Sequence, residues 1–485
     1  MSSMKRESVP MSLSTRAPRR PMSANGATLL AGLTLGVIAF QLNATMLNPA
    51  VRQMEIELGV TTAAIAFSSA LFFLSKAIFQ VFVPRLSDMV GRRTIMLVLL
   101  AILALGTAIA MFGPTVEWLY VGRFIQGSCG PVFTIALLTL REATADEKDY
   151  GTRMGVIIAI NGGIAGVDVI LGGWMAEQFG FRSILALCLV MTVVAFFATV
   201  AWVPEFAPGR GERMDWWGVV FISVVVVGLS WAVGGDPFGN RFPSAWSFVY
   251  VGAAVVGLLA FVVRQRHARH PLVPADELGN RAIWAMPLTT ILTLAGIMAV
   301  ANLVGPSYAQ NPDAGWGMTA TLASVLFMAP YALVGWVVGP FAGRLAPRFG
   351  YVRLLQGGLL TSVLVIAAMA SFGLRSPVLF GVLLFVLGIS YGGVTNVMLN
   401  GLGVVLSPRS APGLLPGLNG ASFAIGAGLA FTIVGQAITH GSPAGAESAG
   451  GYAQGLWICA GIATLALLVT PLLPRPRLGS PDAEE

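Results

Sequence analysis

Charge is the scarcest commodity in this sequence. Of 485 residues, 11% are Asp, Glu, Lys or Arg, against 56% apolar, and the mean hydropathy is +0.78. A water-soluble chain of this length needs far more charge to cover its surface, so a string of soluble domains is excluded and lipid must surround most of the chain. Cysteine is nearly absent. Cys129, Cys188 and Cys459 show neither CxxC spacing nor a disulfide framework, and read as small apolar fillers. The three histidines, His267, His270 and His440, fall between apolar runs and form no metal-ligand cluster, so no metal site is expected. No Gly-x-x-x-x-Gly-Lys-Ser/Thr occurs, which removes nucleotide hydrolysis as an energy source. With no catalytic cluster and no soluble domain, a membrane enzyme or sensor is only a distant alternative; no cofactor is expected.

What the chain does have is long apolar runs. A helix needs roughly 20 apolar residues to cross the hydrocarbon core. Fourteen runs qualify, near 27–50, 61–84, 94–113, 117–140, 154–177, 183–203, 216–234, 246–264, 282–305, 318–342, 352–373, 377–400, 413–437 and 454–473. The first is too long for a cleaved signal peptide, contains Asn43, and has no small-residue cleavage site ahead of soluble sequence. Residues 1–26, rich in Ser, Pro and Arg, and residues 474–485 read as disordered cytoplasmic tails.

Cytoplasmic loops of membrane proteins collect Lys and Arg. An even number of spans puts both termini on one side. That side then holds 23 of the 29 Lys and Arg residues, the opposite side holds four (Arg52, Arg182, Arg241 and Arg375), and Lys76 and Arg123 fall inside spans. A miscounted span early in the chain would destroy this bias, so it supports fourteen spans with both termini in the cytoplasm of an inner or plasma membrane. It also explains the net charge of +7 as a topology signal, with no nucleic-acid partner implied.

An internal repeat is visible. Pro84 to Arg93 reads PRLSDMVGRR after the second span, and Gly343 to Arg353 reads GRLAPRFGYVR after the tenth. Both are short, basic and carry Gly at the eighth position, Gly91 and Gly350. Setting spans seven and eight aside as an insert, the chain reads as six, two and six spans, and duplicated halves around a central site are a recurring transporter plan. The expected segments are 27–203 and 282–473 as six-helix bundles, with 204–281 as a linker carrying two further helices.

Several stretches resemble the major facilitator superfamily. PRLSDMVGRR is similar to its cytoplasmic-loop signature, with Leu86, Asp88, Gly91, Arg92 and Arg93 matching and Pro84 and Met89 departing. Gly343, Arg348 and Gly350 stand in the second copy. Arg123, Gln126 and Gly127 match an Arg-x-x-Gln-Gly signature of the fourth span. Ile160 to Arg182 resembles the Gly-rich fifth-span signature of drug/proton antiporters: Gly172, Gly173 and Trp174 match its end, while Asp168 and Val169 replace the expected Gly-Pro. Phe40 to Gly59 resembles the first span of the fourteen-helix antiporters, with Asn43 where that group carries Asp. Met214 to Gly218 and Phe261 to Val273 look like the same group. The resemblance implies an all-α major facilitator fold of fourteen spans and proton-coupled export of amphipathic or lipophilic compounds by alternating access, by a monomer. The alternative is an importer of a metabolite, symporter or uniporter, on the same fold.

Ionisable groups inside the bilayer are costly and therefore functional candidates. At ~1.5 Å per residue, Arg123, Asn43 and Asp168 fall in one layer of the outer half, roughly 9–12 Å from the outer ends of their spans, and Lys76 falls nearer the cytoplasm. Two readings of Asp168 compete: a carboxylate that exchanges a proton with the pathway, or a permanent ion pair with Arg123 that only locks helices. Asn43, Gln126, Lys76, Asn302, Asn396 and Asn400 are the candidates for lining a substrate cavity, with packing between helices the alternative for each asparagine. Asp88, Gly91, Arg92 and Arg93, with the second copy, are the candidate switch that breaks and reforms as the halves rock.

Overall fold

The computed structural model describes residues 26–144, 146–206, 214–234, 244–268, 270–408, 414–442 and 447–474. The two tails expected to be disordered lie almost wholly outside these residues. Thirteen of the described helices are long and apolar enough to cross a membrane, and a shorter apolar helix completes the series. We number them α1 (Gly26–Leu58), α2 (Thr62–Val90), α3 (Arg92–Phe112), α4 (Val116–Ala143), α5 (Asp149–Phe179), α6 (Phe181–Trp202), α7 (Trp216–Gly234), α8 (Ala245–His267), α9 (Arg281–Gln310), α10 (Ala320–Phe349), α11 (Tyr351–Ser371), α12 (Pro377–Val405), α13 (Leu414–His440) and α14 (Ala449–Leu472).

Helices α1 to α6 pack on one another, as do α9 to α14. The two groups meet where α2 runs against α13 and α5 against α10. Helices α7 and α8 pair, and α7 lies against both α2 and α13, so the extra pair flanks one seam between the bundles. Asp215 fixes the pair from just before α7: its buried carboxylate accepts from Arg264 Nε at 2.8 Å and Gln265 Nε2 at 3.0 Å at the end of α8. Gln265 Oε1 then accepts the backbone N–H groups of Leu272 and Val273, folding the chain back after the helix. Large apolar side chains face outward along these helices, Phe248 at 74% and Val256 at 66% exposure among them. That is the inverse of a soluble protein and suits a lipid solvent.

The helices run past the apolar stretches that reveal them. The basic segment from Pro84 to Arg93, expected as a loop, is helical except at Gly91, and the second copy is helical except at Gly350. Gly91 at φ 120° and Gly350 at φ 86° reverse the chain in one residue, a conformation that L side chains rarely adopt. Several spans are also interrupted. In α4, a turn at Ser128–Pro131 separates Val116–Gly127 from Val132–Ala143, because proline supplies no N–H to continue the ladder. In α9, Pro306 follows a π-helical turn over Val300–Val304. Such turns re-aim side chains and favour functional positions; this one holds Asn302.

Candidate functional site

The sequence candidates of the outer layer converge on α1. Arg123 is buried, and its guanidinium donates to the Asn43 carbonyl at 2.6 Å and to Gln126 Oε1 at 2.9 Å. It also lies over the Phe72 ring at 4.3 Å. Gln126 Nε2 donates to Thr107 Oγ1, which donates in turn to Asn43 Oδ1 at 2.9 Å. Asn43, Arg123 and Gln126 are therefore one hydrogen-bonded unit tying α1, α3 and α4.

Asp168 is buried but is not paired with Arg123. Its Oδ2 accepts from Thr45 Oγ1 at 2.5 Å, and its Oδ1 is buried without a hydrogen-bond partner. The ion pair with Arg123, one of the two readings of Asp168, does not form, for a geometrical reason. Asn43 and Thr45 are two residues apart on a helix, about 200° around its axis, so Arg123 and Asp168 reach α1 from different sides. What remains is a membrane-embedded carboxylate with one side-chain donor among the described residues.

Lys76 lies fourteen residues from Thr62 and fourteen from Val90 of α2, a helix that runs on past the apolar stretch into the basic segment from Pro84. Its ammonium sits 5.3 Å from the Phe40 ring of α1 and 5.8 Å from the Phe423 ring of α13. No carboxylate or hydrogen-bond acceptor among the described residues partners it.

The asparagines divide. Asn302 accepts from Asn48 Nδ2 at 2.9 Å and so bridges the bundles. Asn400 donates to the Asn396 carbonyl at 2.8 Å, Asn419 donates to Asn400 Oδ1 at 3.4 Å, and Thr290 donates to Asn419 Oδ1 at 2.7 Å. Asn396 and Asn400 thus belong to a polar chain within the second bundle. A small recess between the bundles is lined by Asn48, Ile65, Ser68, Arg123, Leu303 and Phe431 among others.

At the end away from Gly26 the bundles are joined by polar contacts. Besides Asn48–Asn302, Gln310 donates to the Pro49 carbonyl at 2.9 Å and Thr321 Oγ1 to Glu177 at 2.6 Å. Thr62 contacts Glu447, which also accepts from Tyr452 at 2.5 Å and Asn311 at 3.0 Å. None of Glu177, Glu447 or Tyr452 stood out in the sequence, since each lies near the end of a span, where polar residues are ordinary.

The switch residues lie at the opposite end. Asp88 pairs with Arg92 at 2.9 Å, and Arg92 also meets Glu142 at 3.2 Å and the Leu138 carbonyl. Arg93 donates to the Val200 carbonyl at 2.6 Å. The start of α3 is held by Glu205, which accepts from Thr94 N at 3.0 Å and Thr94 Oγ1 at 2.7 Å and leaves no room for a Cβ on Gly91. Carboxylates suit that position because helix N-termini carry partial positive charge. In the second copy, Arg348 is exposed, and Pro347 and Tyr351 stand where Asp88 and Arg92 do relative to the glycine, so this ion pair belongs to the first bundle. The fifth-span glycines serve close approach. A Cβ on Gly172 would lie 2.3 Å from the Met46 carbonyl of α1, and one on Gly173 would lie 2.5 Å from Ser324 Oγ of α10.

Comparison with known proteins matches this arrangement. The Major Facilitator Superfamily profile covers residues 33–431. The uridine/deoxyuridine transporter of Lactococcus lactis subsp. cremoris (strain MG1363) is 37% identical over 455 residues, 92% of this chain and 94% of that protein. Multidrug resistance protein Stp of Mycobacterium tuberculosis (strain CDC 1551 / Oshkosh) is 25% identical over 408 residues, 83% of this chain and 74% of that protein. Among solved structures, the nucleoside transporter NupG aligns over 91% of this chain and 98% of its own with a TM-score of 0.60 at 16% identity, a likeness of fold. This chain belongs to the Major Facilitator Superfamily: it is a membrane transporter and not an enzyme.

Proposed function

We propose that this protein takes up pyrimidine nucleosides across the cell membrane by alternating access. The observation that carries the reading is the 37% identity to a uridine/deoxyuridine transporter along 92% of the chain. The resistance protein Stp stands at 25%, so the expectation of drug efflux gives way to its importer alternative. Two sequence features support the same direction. Asn43 stands where the antiporter pattern has Asp, and Asp168-Val169 stands where it has Gly-Pro.

In this reading both termini lie in the cytoplasm and the protein acts as a monomer. The recess beside Arg123 and Phe431 lies on the substrate path between the bundles. Protons are the coupling ion and Asp168 is the coupling carboxylate, because its Oδ1 is buried without a partner in a region where a lasting charge is costly. Uptake of radiolabelled uridine into proteoliposomes, with and without an inwardly directed pH gradient, tests the reading. Uridine should enter and exchange, and no uptake of any pyrimidine nucleoside would overturn it.

A further inference from the structure

Among the described residues Lys76 has no counter-ion, and its surroundings indicate what it meets. Lys76 is midway along α2 and half-buried, between a ring of the first bundle and a ring of the second. Its stem is pinned against α4, where a Cβ on Gly130 would come within 2.4 Å of Lys76 Cγ. A lysine near a membrane surface swings its ammonium out to water. This one lies nine residues from Arg85 in the basic segment, about 13 Å along the helix at 1.5 Å per residue, and its ammonium turns instead to Phe40 and Phe423.

An ammonium offers three donors and no acceptor. Phe40 and Phe423 attract its charge through their faces but satisfy none of its N–H groups as an oxygen would. From Phe40 a run of stacked and edge-on rings continues through Phe72 and Phe73 to Phe431, which lines the recess. The centre of the protein therefore holds a run of buried rings, with half-buried Phe423 and an unmatched donor set beside it. The complementary ligand is a flat ring whose edge carries carbonyl oxygens.

We infer that Lys76 is a specificity-determining residue that donates to the 4-carbonyl of a pyrimidinedione base held against Phe40 and Phe423, and so selects uridine over cytidine. The inference rests on the nucleoside reading above and sharpens it. Uracil presents an acceptor at that position. Cytosine presents an amino group, and an ammonium facing an amine leaves donors on both sides unsatisfied. Because the two rings come from different bundles, a base seated there is touched by both halves.

The experiment is uridine uptake into proteoliposomes with cytidine as competitor, paired with thermal stabilisation of the purified protein by each nucleoside. Wild type should prefer uridine about tenfold or more, the worth of one hydrogen bond to a charged donor. In Lys76→Gln, whose amide both donates and accepts, the preference should fall to within about threefold. Lys76→Met, which removes the donors altogether, should lose it likewise and serves if the glutamine variant does not fold. The stabilisation measurement reads the preference even in a variant that no longer transports. A wild type without preference, or a variant that keeps the wild-type ratio, overturns the role of Lys76 and leaves the nucleoside reading standing. A wild type that neither takes up nor is stabilised by either nucleoside overturns the nucleoside reading itself.

Discussion

Replacing Asp168 by Asn tests the energy source most directly. Asparagine keeps an oxygen for the Thr45 hydroxyl, now 2.5 Å from Asp168 Oδ2, and removes a buried charge. Arg123 is left untouched, since its partners are the Asn43 carbonyl and Gln126. Loss of charge assistance in one hydrogen bond costs about 1 kcal/mol, while removing a buried carboxylate returns several kcal/mol of desolvation whenever the group is ionised. The variant should therefore fold and melt no lower than wild type. Transport should separate into its parts. With one proton carried per substrate, one pH unit, acid outside, drives up to about tenfold accumulation. Asp168→Asn should reduce that to about onefold while uridine exchange persists. The assay is paired gradient-driven uptake and equilibrium exchange in proteoliposomes. Undiminished accumulation by Asp168→Asn would refute the assignment. The double variant Asp168→Asn, Arg123→Gln should show melting effects additive within about 0.5 kcal/mol, because the two groups share no contact; a larger coupling would restore the ion-pair reading.

The remaining predictions concern the scaffold. Asp88→Asn, which leaves Arg92 with Glu142, should slow turnover while uridine affinity changes less than about threefold; normal turnover would reduce the motif to a topology signal. Gly173→Leu places a side chain where a Cβ alone would lie 2.5 Å from Ser324 Oγ. It should hold the bundles apart at that end and abolish uptake with the protein still folded, as seen by gel filtration. Asp215→Ala strands Gln265 and leaves Arg264, 40% exposed, without its carboxylate; thermal unfolding should show a loss of about 1–3 kcal/mol. A cysteine at Asp313 should react with impermeant maleimide from outside the cell, and one at His267 only from the cytoplasm. Asp236 and Arg210, the matching positions beside α7, lie outside the described residues.

The sequence by itself determined the lipid-facing class, the number and order of the spans, and the six-two-six plan. All three follow from local composition: apolar length, Lys and Arg bias, and a motif that recurs. It also singled out Asn43, Arg123 and Asp168 as one layer, because depth along a helix can be counted. Azimuth cannot be counted between helices of unknown rotation, so only the tertiary structure decided which of these groups meet. It joined Arg123 to Asn43 and Gln126, gave Asp168 to Thr45, and placed Lys76 between Phe40 and Phe423. The contacts of Glu205 with Thr94 and of Glu447 with Thr62 were hidden for the same reason. Their partners lie more than a hundred positions away in the chain, and a carboxylate at the end of a span looks alike in sequence whether it faces water or holds two helices together.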